Sequence, residues 1–417
     1  MSSNSGVLIE DFMNYKLGTC SLLLAITTAL TGCNLSSQTS LANTYKTNDT
    51  VSQSALEQSA TSIGNRVADW QINHLDNFDY LENRYRIGTA DPKNWIQATF
   101  YIGLTQWAET TNNKELLNHI ATMAAEQQYL LRTKRAERSM HADDHAIAQT
   151  YLWLAQQTGQ TEPTLPTKAL FDSILAAPSN VSLELVEVTP KRWGFEGPCQ
   201  DRWCWADALF MAPRAWLQLG NITGETKYFE FADREFWATV DYLFSEQYGL
   251  FYRDSRYFTS KSDNGKPVFW SRGNGWVFAA LPLIINDLPQ DHPSRERYIE
   301  LYKKNAAGLQ KIQNSNGYWP ASLLDPDKVK TPEVSGTAFV TYGLAWGVNN
   351  GILNEPKYKE SVLQGWNAIA KAVEPNGRVN WVQQVGKSPD PVSKKDTQLY
   401  GVGAVLLAAS EITKLVP

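Results

Sequence analysis

Two aspartates stand where proton-transfer chemistry could be done. Asp207 lies in CQDRWCWADALFM, Cys199 to Met211, among Trp203, Trp205 and Phe210, and Asp144 lies in HADDH, His141 to His145. Each precedes an apolar run at helical spacing. A pair of carboxylates is the usual equipment for cleaving glycosidic linkages. Indole surroundings would disfavour the charged form of Asp207 and leave it a proton to donate near neutral pH. The alternative for either residue is a helix N-cap, a position that Asp favours. His141 and His145 stand four apart, as metal ligands on a helix do, but they lack the Glu-containing metalloprotease pattern and a third ligand. No metal and no cofactor is expected, and Asp143 reads as a cap or as support for its neighbour.

Cations and aromatic rings accompany these acids. FWSRGNGW, Phe269 to Trp276, sets Arg272 between Trp270 and Trp276, with Asn274 and two glycines beside it. Arg can fork onto a carboxylate or sulfate, and Gly lets backbone approach a ligand closely. The plain alternative is a tight packing turn with an ordinary salt bridge. YRDSRYF adds Arg253 and Arg256, and WVQQVGKSP adds Lys387 in a loop; exposed surface charge is the competing explanation for these arginines. Fifteen Trp and 18 Tyr supply either a tryptophan-rich core or flat faces for stacking on a ligand.

These residues are far apart in sequence, so the elements must gather them. From about residue 60 apolar residues recur at three and four, and segments such as LQLGNITGETKYFEFADREFW read as helix, polar turn, helix. Asp144, Asp207, Arg272, Ser335 and Tyr400 each open the first helix of such a hairpin, at steps of about 63 to 65 residues, with an earlier hairpin starting near Trp95. Six hairpins predict an all-α closed ring, with inner helices lining the core and outer helices covering them. The inner N-termini would then converge on one face, where helix dipoles favour an anion. An open helical solenoid is the rival architecture and brings no such convergence.

The chain's bounds fit this picture. Its 417 residues are 43% hydrophobic and 19% charged, enough for a large core, and a net charge of −5 argues against nucleic acid as a partner. Leu17 to Leu30 is apolar but too short to span a bilayer comfortably, and ends in LTGC at Cys33. Residues 1–33 are expected to be a lipoprotein signal with Cys33 lipidated, an ordinary signal peptide being the alternative. Residues 34–58 read as a polar tether and 59–417 as one catalytic domain. The expected location is an exported, membrane-anchored one. Asn34 does not resemble an inner-membrane retention signal, which points to the outer membrane, facing the periplasm or the cell surface. Cys20 leaves with the signal, so Cys199 and Cys204 remain, either bridged, as an exported protein allows, or as two buried thiols.

DDHAIAQTYL, WCWADALFMAP, FWSRGNGW, SGTAFVTYGLAWGVNNGIL and YGVGAVLLAASE, taken in order and at this spacing, resemble glycoside hydrolase family 105 from roughly Trp70 to the C-terminus. That family comprises unsaturated rhamnogalacturonyl and rhamnoglycuronyl hydrolases and is kin to the unsaturated glucuronyl hydrolases of family 88. The resemblance implies an (α/α)6 barrel acting on lyase-generated oligosaccharides that carry a 4,5-unsaturated uronic acid at the non-reducing end. Asp207 matches the acid/base that protonates C4 and helps water add at C5. Asp144 matches a second aspartate that holds sugar hydroxyls. Trp270 and Trp276 match a stacking platform, Arg272 a contact to the uronate, and Asn274, Arg253, Arg256, His145 and Lys387 complete the expected binding residues. Many rhamnogalacturonyl members carry His where this chain has Arg253, which suggests a more anionic substrate, such as a sulfated rhamnose next to the uronate in ulvan. The rivals are a conventional two-carboxylate glycosidase on the same barrel and a non-catalytic glycan-binding lipoprotein.

Overall fold

Helical periodicity with almost no strand-like alternation produces a chain of helices. The computed structural model describes residues 53–132, 140–188 and 197–416. In chain order the helices are α1 (Gln53–Ile72), α2 (Asn83–Thr89), α3 (Trp95–Thr111), α4 (Lys114–Glu126), α5 (Ala142–His145), α6 (Ala148–Thr158), α7 (Leu165–Ala176) and α8 (Ala208–Met211). They continue as α9 (Pro213–Thr223), α10 (Thr226–Leu243), α11 (Ser271–Asp287), α12 (Arg295–Gln310), α13 (Val334–Asn349), α14 (Pro356–Ala372) and α15 (Leu399–Ile412). Between α10 and α11, β1 (Phe244–Ser245) and β2 (Leu250–Phe251) form a short antiparallel pair.

Burial separates two layers. Every residue of α15 is buried, as is α13 from Val334 to Gly347, which is the pattern of helices enclosed on all sides. The outer α14 buries only one stripe, including Tyr358, Val362, Trp366 and Ile369. The inner layer is α3, α5–α6, α8–α9, α11, α13 and α15; the outer is α1, α4, α7, α10, α12 and α14. The ring closes where α15 packs on α3. Gly103 and Gly403 meet at that seam, and a Cβ added to Gly103 would fall 2.3 Å from the Gly403 carbonyl oxygen. This closing contact excludes the open solenoid.

Two expectations change. The hairpins are not six in succession: among the described residues no helix follows α15, and its outer partner is α1 from the other end of the described chain. Residues 53–58, expected to be tether, are helical: α1 starts at Gln53 and buries Leu56. The apolar segment 17–30, Cys33 and most of the expected tether lie outside the described residues.

The two inner helices that carry the aspartates are broken near their first turn. α5 is separated from α6 at Ala146–Ile147, and α8 from α9 at Ala212, next to Pro213. Proline has no N–H to continue the helical ladder, so carbonyls at the end of α8 need other donors. Gln149 on α6 supplies them, its Nε2 donating to Phe210 O at 2.8 Å and Met211 O at 3.0 Å. One side chain thus fixes the Asp207 turn against the Asp144 helix. Much of the tryptophan content is core: Trp216 is sandwiched between Phe171 of α7 and Phe231 of α10, with ring centroids 3.8 and 4.0 Å away.

Candidate active site

Asp207 does not cap its helix. Its backbone is helical, with φ −60° and ψ −30°, and its carboxylate makes no capping hydrogen bond. The side chain is buried, and Oδ2 faces Arg253 Nε at 3.3 Å. Burial raises the Asp207 pKa, Arg253 and then Arg272 work against that rise, and the net direction is upward. An acid held protonated above the normal carboxylate range, yet touching a cation, is equipped to give up a proton and take it back.

Asn274 accounts for the position of Arg253. Its Oδ1 accepts from Phe251 N at 2.7 Å, and its Nδ2 donates to Phe251 O and Trp270 O, both at 3.0 Å. This pins the end of β2 to the start of α11. Two residues on, Ala206 N donates to Arg253 O at 2.8 Å, setting Arg253 beside Asp207. Arg253 Nη1 then donates to the fully buried Asp254 at 2.7 Å, and Arg256 reaches the same carboxylate through Nε and Nη2, both at 2.8 Å. Burial alone would raise the Asp254 pKa, but its two arginines outweigh that and hold it below the usual range. Arg256 continues to Glu187, and Lys387 Nζ lies 3.5 Å from the same Glu187 oxygen. The result is a row of alternating charges, Asp207, Arg253, Asp254, Arg256, Glu187, Lys387. Side-chain exposure is 12% at Asp207 and Arg253, drops to 0% at Asp254, and then rises to 20% at Arg256, 36% at Glu187 and 39% at Lys387, so the outer half of the row reaches the surface.

Asp144 lies on the neighbouring turn, since α5 packs on α8. Trp203 Nε1 adds a tie, donating to Met140 O at 3.3 Å. Arg132 comes within 4.0 Å of Asp144 and 3.7 Å of Asp91. Neither Arg132 nor Asp91 stands out in the sequence, because only the closed ring brings them to the acid.

The third side is built by Arg272. Its guanidinium lies over the rings of Trp270 at 4.3 Å and Tyr400 at 4.8 Å. Nη1 donates to Gln383 O at 2.7 Å and Nη2 to Gln384 O at 2.8 Å, while Tyr400 Oη donates to Gln383 O at 2.6 Å. Trp270 Nε1 donates to Gln383 Oε1 at 2.9 Å, and Gln383 N donates to Glu333, the N-cap of α13, at 3.2 Å. These bonds lash the loop after Trp381 across the front of α11, α13 and α15. The inner N-termini do converge: Arg272 reaches Ser335 Oγ at 3.4 Å, and Trp95 stacks on Tyr400 at 5.4 Å.

Several expected binding residues turn out to be framework. Asn274 has no exposed surface, and its amide is taken up by backbone groups. Trp276 is core, enclosed by Trp95, Phe210, Phe339 and Tyr400. Trp270 is almost fully buried under Arg272, so neither tryptophan presents a free stacking face. His145 is buried against Phe171 and Trp216, away from solvent. Glycines Gly273 and Gly275 serve packing: a Cβ on Gly275 would press on Phe339 and Gly336, and one on Gly273 on the Trp270 ring. Trp203 turns toward the outer layer, edge-on to Phe231, while Trp205 packs on His141. Trp95, half-buried, keeps exposed surface at this face; in sequence it looked only like a helix start. Cys199 and Cys204, both buried, are joined in a disulfide just ahead of Asp207.

Comparison with known proteins places this architecture. Residues 63–416 match the model for Glycosyl Hydrolase Family 88. A protein of Alteromonas sp. (strain LOR) named unsaturated 3S-rhamnoglycuronyl hydrolase is 59% identical over 86% of this chain and 86% of its own length. Its namesake from Formosa agariphila is 34% identical over 78% of this chain and 85% of its own. A solved glycosyl hydrolase family 88 structure from Bacteroides vulgatus superposes with a TM-score of 0.73 at 28% identity, covering 86% of this chain and 99% of that one. With the helical ring complete and the match running from α1 to α15, the chain belongs to glycosyl hydrolase family 88.

Proposed function

We propose that this protein removes a 4,5-unsaturated uronic acid from the non-reducing end of an oligosaccharide, as a member of the family-105 branch. The observation that carries the reading is Asp207: a buried carboxyl, raised in pKa and held against Arg253, at the face where the inner helices converge. The protonated carboxyl would give its proton to C4, and positive charge would develop at C5, shared with the ring oxygen. Water then bonds to C5 and yields its proton to the Asp207 carboxylate, which restores the acid. The resulting hemiketal opens: the bond from C5 to the ring oxygen breaks, C5 becomes a ketone, and C1, now a hemiacetal, expels the next sugar as an alcohol. One group performs both proton transfers, so a single tuned acid suffices. Asp144 with Arg132 is left to hold sugar hydroxyls, and half-buried Trp95 offers an apolar surface to the flat ring.

The aglycone we infer is a rhamnose bearing a sulfate, as in ulvan. The names of the relatives from Alteromonas and Formosa support it, as does the presence of three cations, Arg253, Arg256 and Lys387, in the row of charges that begins at Asp207. Parallel assay on unsaturated disaccharides from ulvan and from rhamnogalacturonan tests this: faster turnover of the pectic substrate would overturn it. We also infer export and anchoring through Cys33. The Cys199–Cys204 disulfide supports an oxidising compartment.

A further inference from the structure

The turn that launches α3 and the chain that leaves α4 meet at Asp91 and Arg132, a pair that takes no part in the proton transfers. Asp91 Oδ1 accepts from Lys93 N at 3.1 Å, and Asp91 O accepts from Asn94 N at 2.9 Å. Asn94 in turn caps α3, accepting from Ile96 N at 3.1 Å, so the same turn fixes Trp95. Lys93 Nζ crosses to Gln127 Oε1 at 3.1 Å and fastens the turn to the end of α4. There Gln128 and Tyr129 both take left-handed backbone, with φ 54° and 56°. Neither is glycine, so each is strained, and such strain persists only where the surroundings over-determine the conformation. Tyr129 N returns to Ala124 O at 3.0 Å, the Tyr129 ring stands edge-on to Tyr151 of α6, and Leu131 is buried. This reversal delivers Arg132 to a place between two carboxylates.

Neither carboxylate is hydrogen-bonded to it. Asp91 Oδ2 lies 3.7 Å from Arg132 Nε, which is buried without a hydrogen bond, and Asp144 Oδ1 lies 4.0 Å from Arg132 Nη1. Attraction to Asp91 holds the guanidinium in line yet leaves a gap before Asp144. An oxygen at an ordinary hydrogen-bond distance of about 2.8 Å from both atoms fits a gap of 4.0 Å. A hydroxyl in that place accepts from Arg132 and donates to Asp144. Asp144 has further partners in the protein, but a carboxylate accepts several bonds and need not give one up. Among the described residues two carboxylates face this one guanidinium, a balance that suits a neutral hydroxyl better than a uronate or a sulfate.

We propose that Asp91 is a positioning residue: it holds Arg132 at the distance from Asp144 that one ring hydroxyl of the unsaturated sugar closes, and it ties that gap to the turn carrying Trp95. This rests on the unsaturated-uronyl reading above and adds to it the residue that sets the gap. One turn then fixes both the surface offered to the flat ring and the cation offered to its hydroxyl.

The test compares wild type, Asp91→Asn and Arg132→Gln on an unsaturated uronyl-rhamnose and on its 2-deoxy and 3-deoxy uronyl analogues. Asn keeps the acceptor for Lys93 N and removes only the charge. In wild type one of the two analogues should have a KM about tenfold above that of the parent sugar, the size of a hydrogen bond to charged groups. That ratio should fall to about threefold or less in both variants, through a higher KM for the parent. General destabilisation would move all three sugars together and leave the ratio where it was. A wild-type ratio near one for both analogues would show that no hydroxyl closes the gap. An undiminished ratio in Asp91→Asn would show that Asp91 only ties α3 to α4; either result overturns the proposal. Hydrogen exchange at Arg132 Nε, followed by NMR and assigned as the signal lost in Arg132→Gln, is independent of turnover. It should quicken about tenfold in Asp91→Asn, and unchanged exchange contradicts the positioning role. Failure of wild type to turn over the parent disaccharide would refute the unsaturated-uronyl reading alone, with the exchange measurement still deciding whether Asp91 holds Arg132.

Discussion

Asp207 and Arg253 oppose each other, and their balance is measurable. The acid must be protonated to act, so activity should be lost as pH rises through its pKa. Arg253 lowers that pKa against the larger effect of burial. Arg253→Gln should therefore move the alkaline limb of kcat to higher pH, whatever it does to the maximum rate; a limb that stays or moves down contradicts the pairing. Stability carries the same sign. A carboxyl whose folded pKa is raised contributes stability that is fully present below its unfolded value and is lost as pH rises through the folded one. Asp207→Asn removes that loss. Its melting temperature should match wild type near pH 4 and exceed it by about 2 °C at pH 8, as calorimetry at the two values would show. At this scale the sequence was legible where residue type and position agreed: the acid among aromatics at a helix start was evident. Arg132 and Asp91 were not, because their role comes from contacts with no local pattern. Asn274 and Trp276 misled, since a polar or aromatic side chain near a site looks the same in sequence whether it meets ligand or framework.

Elements place these groups by a few specific joints. Asn274 joins β2 to α11, Gln149 joins the broken α8 to α6, and Gln383 joins the loop after Trp381 to three inner helices. Asn274→Ala would leave Phe251 N and O buried without partners, at a cost of about 2 kcal/mol. It would also free Arg253 from its register. We expect a lower melting temperature together with a fall in kcat of about tenfold, the effect of a small misplacement of a catalytic group. A melting shift with unchanged kcat would show that Arg253 is held by other means. The period of helix starts was readable because two helices and their loops repeat at nearly constant length. The breaks behind Asp144 and Asp207 were less so: Pro213 marks one, but the interruption at Ala146–Ile147 has no proline or glycine to announce it.

The whole ring turns scattered helix starts into one face. Closure at the Gly103–Gly403 seam brings Tyr400 onto Arg272 and Trp95 onto Tyr400, and so completes the site. The pairing of α1 with α15 was hidden from a reading in chain order, because it joins opposite ends of the described chain. Anchoring belongs to this scale too. Cys33→Ser should move the protein from the membrane fraction to the soluble fraction of expressing cells, and persistent membrane association would argue against a lipid on Cys33. The chemistry is tested most directly by running the reaction in D2O and following the product by NMR. Hydration by Asp207 predicts one deuteron on a single face of C4, loss of the double bond at the rate of sugar release, and the disappearance of both in Asp207→Asn. Release of a uronic acid with its double bond intact, or cleavage of a saturated end, would contradict it.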